Sequence, residues 1–283
     1  MSGFSDIGLC WGYRDGPPEQ ILQKRSKLRY IAVVVRGLNL KRLSEIAQDQ
    51  WGLVTRRQAA DLAGVPRATL DRLTSAGGLL ERVAHGVYRL IGAPIPDHLD
   101  LRAAWLQLAP DVPAWERTPI EGIVSHRSAA SLYGVGDLPA DRHEFTLPVR
   151  RQSRRLDVRI HKGAPAEVGW ISLRGLPVTR PSQIASDLLR DNEEPEAVAR
   201  VVTESLHQIY DYPGSFARAL APHAARLGLR TGDGVAVLRW LLDLAGEPDA
   251  KRWIEVARAD PAPPERSSIT VDPIYGRPPS IQT

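Results

Sequence analysis

The segment Thr55–Leu90 constrains the fold of this chain more than any other. Its sequence, TRRQAADLAGVPRATLDRLTSAGGLLERVAHGVYRL, predicts two short helices joined by a tight turn and followed by a small hairpin. This order of elements is typical of a winged helix-turn-helix, whose second helix usually enters the major groove of DNA. The alternative interpretation is a plain helical hairpin with a β-ribbon and no role in nucleic-acid binding.

Local chemistry predicts where the first helix and the turn lie. Thr55 and Gln58 have the spacing of a capping box, in which each side chain bonds the other residue's free backbone N–H. Gly64 suits a turn with a left-handed backbone, and Pro66 suits the first turn of a new helix, where its missing N–H costs nothing. Thr55 is therefore expected to begin the motif and Gly64 to separate its two helices.

The second helix and the hairpin have equally local signals. Leu70 and Leu73 are three residues apart, so both are predicted to face inward while the polar residues around them face outward. Gly86 follows His85 at a bend, and β-branched and aromatic residues occupy Val87–Leu90, as expected for the return strand of a hairpin.

Length and composition place the chain among ordinary globular proteins with room for two domains. It has 283 residues, of which 43% are hydrophobic and 25% charged, and its formal net charge is +4. The single cysteine, Cys10, excludes an intramolecular disulfide and any multi-cysteine zinc site. No apolar run approaches the length of a membrane span, so a cytoplasmic location and no membrane partner are expected.

The predicted fold class is α+β, with a winged helix-turn-helix followed by a mixed α/β domain. A connection marked by Pro94 and Pro96 separates the two. The expected divisions are an N-terminal extension (1–40), the winged domain (41–93), the mixed α/β domain (97–258) and a Pro-rich tail (259–283).

Periodicity predicts the elements of the second domain. Its strands are expected at His143–Leu147, Leu156–His161 and Trp170–Leu173. Its helices are expected at Asp97–Ala109, His126–Tyr133, Gln183–Leu189, Glu194–Gln208, Gly214–Arg226 and Gly232–Ala245. Ser125 is interpreted as the N-cap of the helix that begins at His126.

No combination of residues predicts a catalytic, metal or cofactor site, and the chain is not expected to be an enzyme. The seven histidines are scattered without metal-ligand spacing. Ser125 and His126 are adjacent, and their side chains are expected to point apart. A DNA nuclease built around Asp157 is a weaker alternative, because arginines surround that position and would repel a metal ion.

The densest basic cluster of the chain precedes and enters the middle predicted strand. Contact with phosphate or with an acidic partner is one interpretation, and a solvated loop is the other. The residues singled out for such contact are Arg150, Arg151, Arg154 and Arg155.

The stretch GLVTRRQAADLAGVPRATLDRLTSAGGLLERVAHGVYRL resembles the N-terminal domain of AbiEi-type antitoxins, the regulator half of type IV (abortive infection) toxin–antitoxin systems. The segments VSHRSAASLYGV and LPVTRPSQIASDLL are similar to the second domain of such proteins. This resemblance implies a repressor that binds inverted repeats in double-stranded DNA of its own promoter. It also implies that the chain counteracts a nucleotidyltransferase-like toxin encoded next to it.

The resemblance also implies which residues face DNA. They are Arg56 and Arg57 on the first motif helix, Arg67, Thr69 and Arg72 on the second, and His85 and Arg89 in the wing. Some proteins with a similar N-terminal half carry a repair-endonuclease-like domain, but its acidic motif is missing from this sequence. A sequence-specific autorepressor and antitoxin is thus the leading hypothesis, and a protein-interaction module is the alternative from another class.

Overall fold

A computed structural model describes residues 37–75, 77–153, 155–164 and 169–259, so most of the predicted extension and tail, and Arg154, lie outside the described residues. The helices are α1 (37–49), α2 (Arg56–Asp61), α3 (Arg67–Leu73), α4 (Leu99–Leu108), α5 (His126–Tyr133), α6 (Pro181–Arg190), α7 (Pro195–His207), α8 (Pro213–Leu220), α9 (Gly234–Leu244) and α10 (Ala250–Ala259). The strands are β1 (Leu53–Thr55), β2 (Leu80–Ala84), β3 (Val87–Leu90), β4 (Ile123–Val124), β5 (His143–Leu147), β6 (Val158–Lys162), β7 (Trp170–Leu173) and β8 (Leu176–Thr179).

The described residues from 37 to 90, up to the end of β3, form one unit around a three-stranded antiparallel sheet of order β1-β3-β2. Helices α1, α2 and α3 share a core with one face of that sheet. Val54, Leu80 and Tyr88 face this core, where they meet Leu43 and the fully buried Leu70. The alternation of buried side chains along each strand follows from the period of two residues in an extended backbone.

The predicted signals at the helices and the turn are confirmed, with one shift. Thr55 and Gln58 form the capping box, and Gly64 lies in the left-handed region with φ +65°. Pro66 is the N-cap of α3 and not its first helical residue, because its extended backbone ends the turn and α3 starts at Arg67. The hairpin forms as predicted, with Gly86 at φ +71° between β2 and β3.

The remaining elements surround a mixed five-stranded sheet of order β6-β5-β4-β8-β7. Strands β5 and β6 are parallel, as are β4 and β8, whereas β4–β5 and β7–β8 are antiparallel. Helix α4 covers the face that carries Val158 and Ile160, and α5 covers the face that carries Glu144. Helices α6 to α10 extend the core away from the sheet through residues such as Phe216 and Leu238.

The structure confirms most predicted elements of this region, corrects the bounds of two, and adds elements here and in the first unit that the sequence did not predict. Strand β6 begins at Val158, and Leu156 is a solvent-exposed loop residue because the chain turns before the strand starts. Helix α8 ends at Leu220, where two short 3-10 turns replace the rest of the predicted helix. Helix α10 and the short strands β1, β4 and β8 were not predicted from the sequence.

Helix α4 joins the two parts of the molecule by packing on the second face of the three-stranded sheet. Leu53 and Val87 lie on this second face and share the core of the five-stranded sheet with Trp105 of α4. The residues next to them, Val54 and Tyr88, face the core formed with α1 to α3. Two bonds reinforce the contact between the two parts, because Thr55 Oγ1 donates to the Pro110 carbonyl and Gln58 Nε2 donates to the Val112 carbonyl at 3.0 Å. The division of the chain into separately folding domains stays a prediction.

Across the residues that the structure describes, the helices are too short or too polar to cross a membrane.

Candidate nucleic-acid interface

Helix α3 exposes a polar face and buries the opposite one. Leu70 is fully buried, whereas Arg67 and Arg72 are exposed and Thr69 is half-buried. Arg72 is held along the helix, because its Nε donates to the Ala68 carbonyl at 3.2 Å and its Nη2 donates to Thr69 Oγ1 at 3.2 Å. This face therefore presents two guanidinium groups and a hydroxyl, the donor types that recognise guanine edges and phosphate.

Arg67 is only loosely restrained within this face. Its Nε lies 3.8 Å from an Asp71 carboxylate oxygen in an ion pair whose two side chains are both mostly exposed. An exposed ion pair of this length contributes little to stability, so the Arg67 guanidinium can leave Asp71 and bind a stronger anionic partner.

The start of α2 lies beside the hairpin turn. The backbone N–H of Arg56 donates to the Gly86 carbonyl at 2.8 Å, and the side chains of Arg56 and Arg57 are exposed at this end of the helix. At that turn Arg82 Nη2 and His85 Nδ1 lie 3.1 Å apart. The start of α2 and the hairpin turn, both of which carry predicted DNA contacts, are therefore neighbours in the structure although they are far apart in the sequence.

Arg89 differs from the other residues that the resemblance assigned to DNA. Its side chain is only 10% exposed and forms a 2.7 Å ion pair with Glu81 on the neighbouring strand. Its Nη1 also donates to the Ala93 carbonyl at 2.7 Å. Because these contacts occupy the guanidinium inside the molecule, Arg89 is placed to hold β2, β3 and the following loop together.

The basic loop before β6 approaches the hairpin turn through α4. Gln107 Nε2 donates to the His85 carbonyl at 2.6 Å, and Arg155 Nη1 donates to the Gln107 side-chain oxygen. Arg155 also forms a two-bond ion pair with Asp157, which lowers the pKa of that carboxyl. Arg150 and Arg151 are exposed beside it, so this loop continues the basic surface from the turn.

A second group of polar side chains lies at the start of α5, and it corrects the interpretation of Ser125. Ser125 is at the N-cap position, but its hydroxyl bonds His126 Nδ1 at 3.0 Å and makes no cap. The prediction that the two side chains point apart is wrong, because His126 has a left-handed backbone with φ +52°. The Glu144 carboxylate accepts instead from the Arg127 N–H at 3.0 Å, so a neighbouring strand caps the helix.

His161 of β6 completes this group from the other side. Its ring stacks on that of His126 with centroids 3.5 Å apart and planes inclined by 14°. His161 Nε2 lies 3.2 Å from a Glu144 oxygen, and Arg159 contacts Glu144 at 3.6 Å and Asp191 at 3.0 Å.

The electrostatics of this group follow from burial and from these contacts. Burial, followed by the neighbouring His161, lowers the pKa of His126 to about 3, so its ring is neutral at pH 7. Burial alone would raise the pKa of the Glu144 carboxyl, but the His161 bond, His126 and the Arg127 N–H together hold that pKa below its ordinary value. Sequence reasoning missed the group because its members come from α5, β5, β6 and the end of α6.

Comparison with protein families gives a match within the N-terminal unit. Residues 41–91 match the family model described as "Transcriptional regulator, AbiEi antitoxin". The match runs from within α1 to just past β3 and supports the resemblance seen in the sequence over the same segment. A comparison with curated proteins gives no match.

Proposed function

We propose that residues 41–91 form a winged helix-turn-helix and that the chain is a sequence-specific DNA-binding regulator. The observation that carries this proposal is the polar face of α3, the helix that follows the Gly64 turn. The segment that contains this helix matches a family model of transcriptional regulators. In such motifs the second helix contacts base edges while the surrounding elements contact the backbone. Binding, without catalysis, is the activity that we assign to this unit.

Arg67, Thr69 and Arg72 are the proposed base-reading residues. Arg67 and Arg72 are exposed and Thr69 is half-buried, and the two arginines carry guanidinium groups that can make two parallel bonds to guanine. The bond between Arg72 and Thr69 restrains both side chains before binding, which reduces the entropy that complex formation would cost.

Arg56, Arg57 and His85 are the proposed phosphate contacts, and the basic loop extends them. The 2.8 Å bond from Arg56 N–H to Gly86 fixes the start of α2 against the turn, so both can approach one DNA strand together. Arg150 and Arg151 are exposed further along the same surface, where they would add non-specific affinity, Arg151 through the donors left after its Nη1 bonds the Leu108 carbonyl at 2.7 Å. Arg155 is assigned a positioning role, since Gln107 and Asp157 occupy its guanidinium.

Substitutions at the two classes of residue test this assignment. Arg67→Ala should weaken binding to the DNA upstream of the chain's own gene by ~1–3 kcal/mol and relax base preference, because it removes a base contact. Arg57→Ala should weaken binding evenly across sequences and reduce the salt dependence, because it removes a phosphate contact.

Competition binding with matched specific and shuffled duplexes measures both effects. Arg252→Ala is a charge-matched control, because Arg252 is exposed on α10 in the helical layer of the second unit. The assignment fails if all three variants bind like the unsubstituted protein, or if Arg67→Ala and Arg57→Ala lose specific and non-specific binding alike.

We further propose that the regulator is an antitoxin that counteracts a nucleotidyltransferase-like toxin encoded next to it. The printed description of the matched family, together with the sequence resemblance beyond residue 91, supports this role. Co-expression with the neighbouring open reading frame tests it, with growth rescue as the expected result. If the neighbouring gene product slows growth and the chain does not relieve that defect, the antitoxin proposal is wrong and only the regulator proposal stands.

A further inference from the structure

Three side chains with metal-binding chemistry meet where α5, β6 and α6 come together. His126 begins α5, His161 lies on β6, and Asp191 directly follows α6. A ring nitrogen of each histidine and a carboxylate oxygen of Asp191 all lie within 4.8 Å of one another. Because the three residues belong to separate elements, the fold as a whole, and not a local turn, brings them together.

Neighbouring groups bond one ring nitrogen of each imidazole. The Ser125 hydroxyl bonds Nδ1 of His126, and the left-handed backbone of His126 directs its ring towards His161. Such a backbone is costly for a residue with a side chain, and it persists only where surrounding contacts enforce it. Glu144 holds His161 through Nε2, which is the arrangement that orients histidines in metal sites.

A cationic side chain already contacts one of these three residues. The guanidinium of Arg159 contacts Asp191 at 3.0 Å and Glu144 at 3.6 Å, and its side chain is 50% exposed. The Glu144 side chain is only 6% exposed, so its charge requires a positive partner inside the molecule. Because the Arg159 side chain reaches in from the surface, it can move out to solvent when a metal ion supplies the positive charge in its place.

We propose that His126, His161 and Asp191 form a binding site for a divalent transition-metal ion of the zinc class, which displaces Arg159. Two imidazoles and one carboxylate suit Zn²⁺ and Co²⁺, whereas Mg²⁺ and Ca²⁺ prefer sites built from oxygen ligands alone. The parallel rings must tilt so that their lone pairs converge on the ion. Three protein ligands leave at least one coordination position open to water or to another ligand.

Metal titration of the full chain tests the site. The protein is freed of any purification tag and of metal by a chelator, and Zn²⁺, Co²⁺ and Mg²⁺ are then added separately while calorimetry follows binding. One Zn²⁺ should bind per chain with little response to Mg²⁺, and Co²⁺ should give the visible absorption of a low-symmetry nitrogen–oxygen site. Asp191→Asn, a same-size change at a partly exposed residue, should weaken Zn²⁺ binding by ~10-fold or more.

Two further variants distinguish loss of the metal site from damage to the fold. Arg159→Gln removes the competing cation and should tighten Zn²⁺ binding several-fold, a gain that a damaged fold would not produce. His207→Ala is the matched control, because His207 also lies beside a carboxylate, at 3.0 Å from Glu247, but in the helical layer, and it should leave binding unchanged. The proposal is overturned if no stoichiometric Zn²⁺ binds, or if Asp191→Asn and Arg159→Gln bind Zn²⁺ like the unsubstituted protein.

Discussion

Arg117 secures the end of α4, the helix that joins the two parts of the molecule. Its guanidinium donates to the carbonyls of Trp105 at 2.5 Å and Leu106 at 2.6 Å, and also to that of Ala109. It further lies 4.4 Å from the centroid of the Trp105 ring. Burial lowers the pKa of Arg117 to about 10, so it stays charged at neutral pH and satisfies carbonyls that a helix end leaves unpaired.

Arg117→Ala should lower the free energy of unfolding by about 3 kcal/mol, because it leaves several carbonyls of α4 without a donor. Arg117→Lys should lose less, since it keeps the charge but reaches fewer carbonyls. Urea unfolding at pH 7 measures both variants. A midpoint for Arg117→Ala equal to that of the unsubstituted protein would show that water replaces the guanidinium without cost.

Elements were predictable from the sequence where their signals are local. The capping box of Thr55 and Gln58 and the left-handed Gly64 defined α2 and the turn because each signal lies within a few residues. Strand β4 has two residues and forms only because β5 and β8 flank it, so no periodicity could reveal it. Ser125 was misinterpreted for a similar reason, since the cap of α5 comes from a carboxylate on β5.

The residues of the candidate site were likewise predictable only where the signal in the sequence is local. The exposed residues of α3 could be identified because helical periodicity separates them from Leu70. The burial of Arg89 could not be identified, because it depends on pairing with Glu81 across the hairpin. The group around His126 and His161 depends on sheet register and on the path of the chain after α6, neither of which the sequence pattern specifies.

Gly64→Ala tests how far the turn between α2 and α3 sets the interface. Its φ of +65° should cost a side chain ~1–2 kcal/mol. A Cβ would also meet Asn39 Nδ2 at 3.3 Å, where the Asn39 amide bonds the Gly64 carbonyl. Both stability and DNA affinity should therefore fall.

Gly86→Ala is the matched control, because Gly86 has a similar φ of +71° and nothing within 4 Å of its Cβ position. Thermal unfolding should show a larger loss for Gly64→Ala than for Gly86→Ala. Equal losses for the two variants would mean that the packing of Asn39 against the turn contributes nothing.

At the scale of the whole molecule, the three-stranded sheet belongs to both cores. One face holds Val54 and Tyr88 against α1 to α3, and the other holds Leu53 and Val87 against α4. The orientation of the proposed DNA-binding unit is therefore fixed by direct packing and not only by the connection around Pro94. Gln107 adds a contact at the hairpin turn, through which the basic loop of the second unit can share the same DNA.

We propose that the surface formed by α3, the start of α2 and the hairpin turn reads a DNA sequence. The decisive measurement is equilibrium binding of the full chain to the duplex upstream of its own gene. A shuffled duplex of equal length and composition serves as the comparison. Measured between about 50 and 200 mM salt, the upstream duplex should bind roughly a thousandfold more tightly, and both affinities should fall as salt rises. Equal affinity for the two duplexes at every salt concentration would contradict sequence-specific recognition.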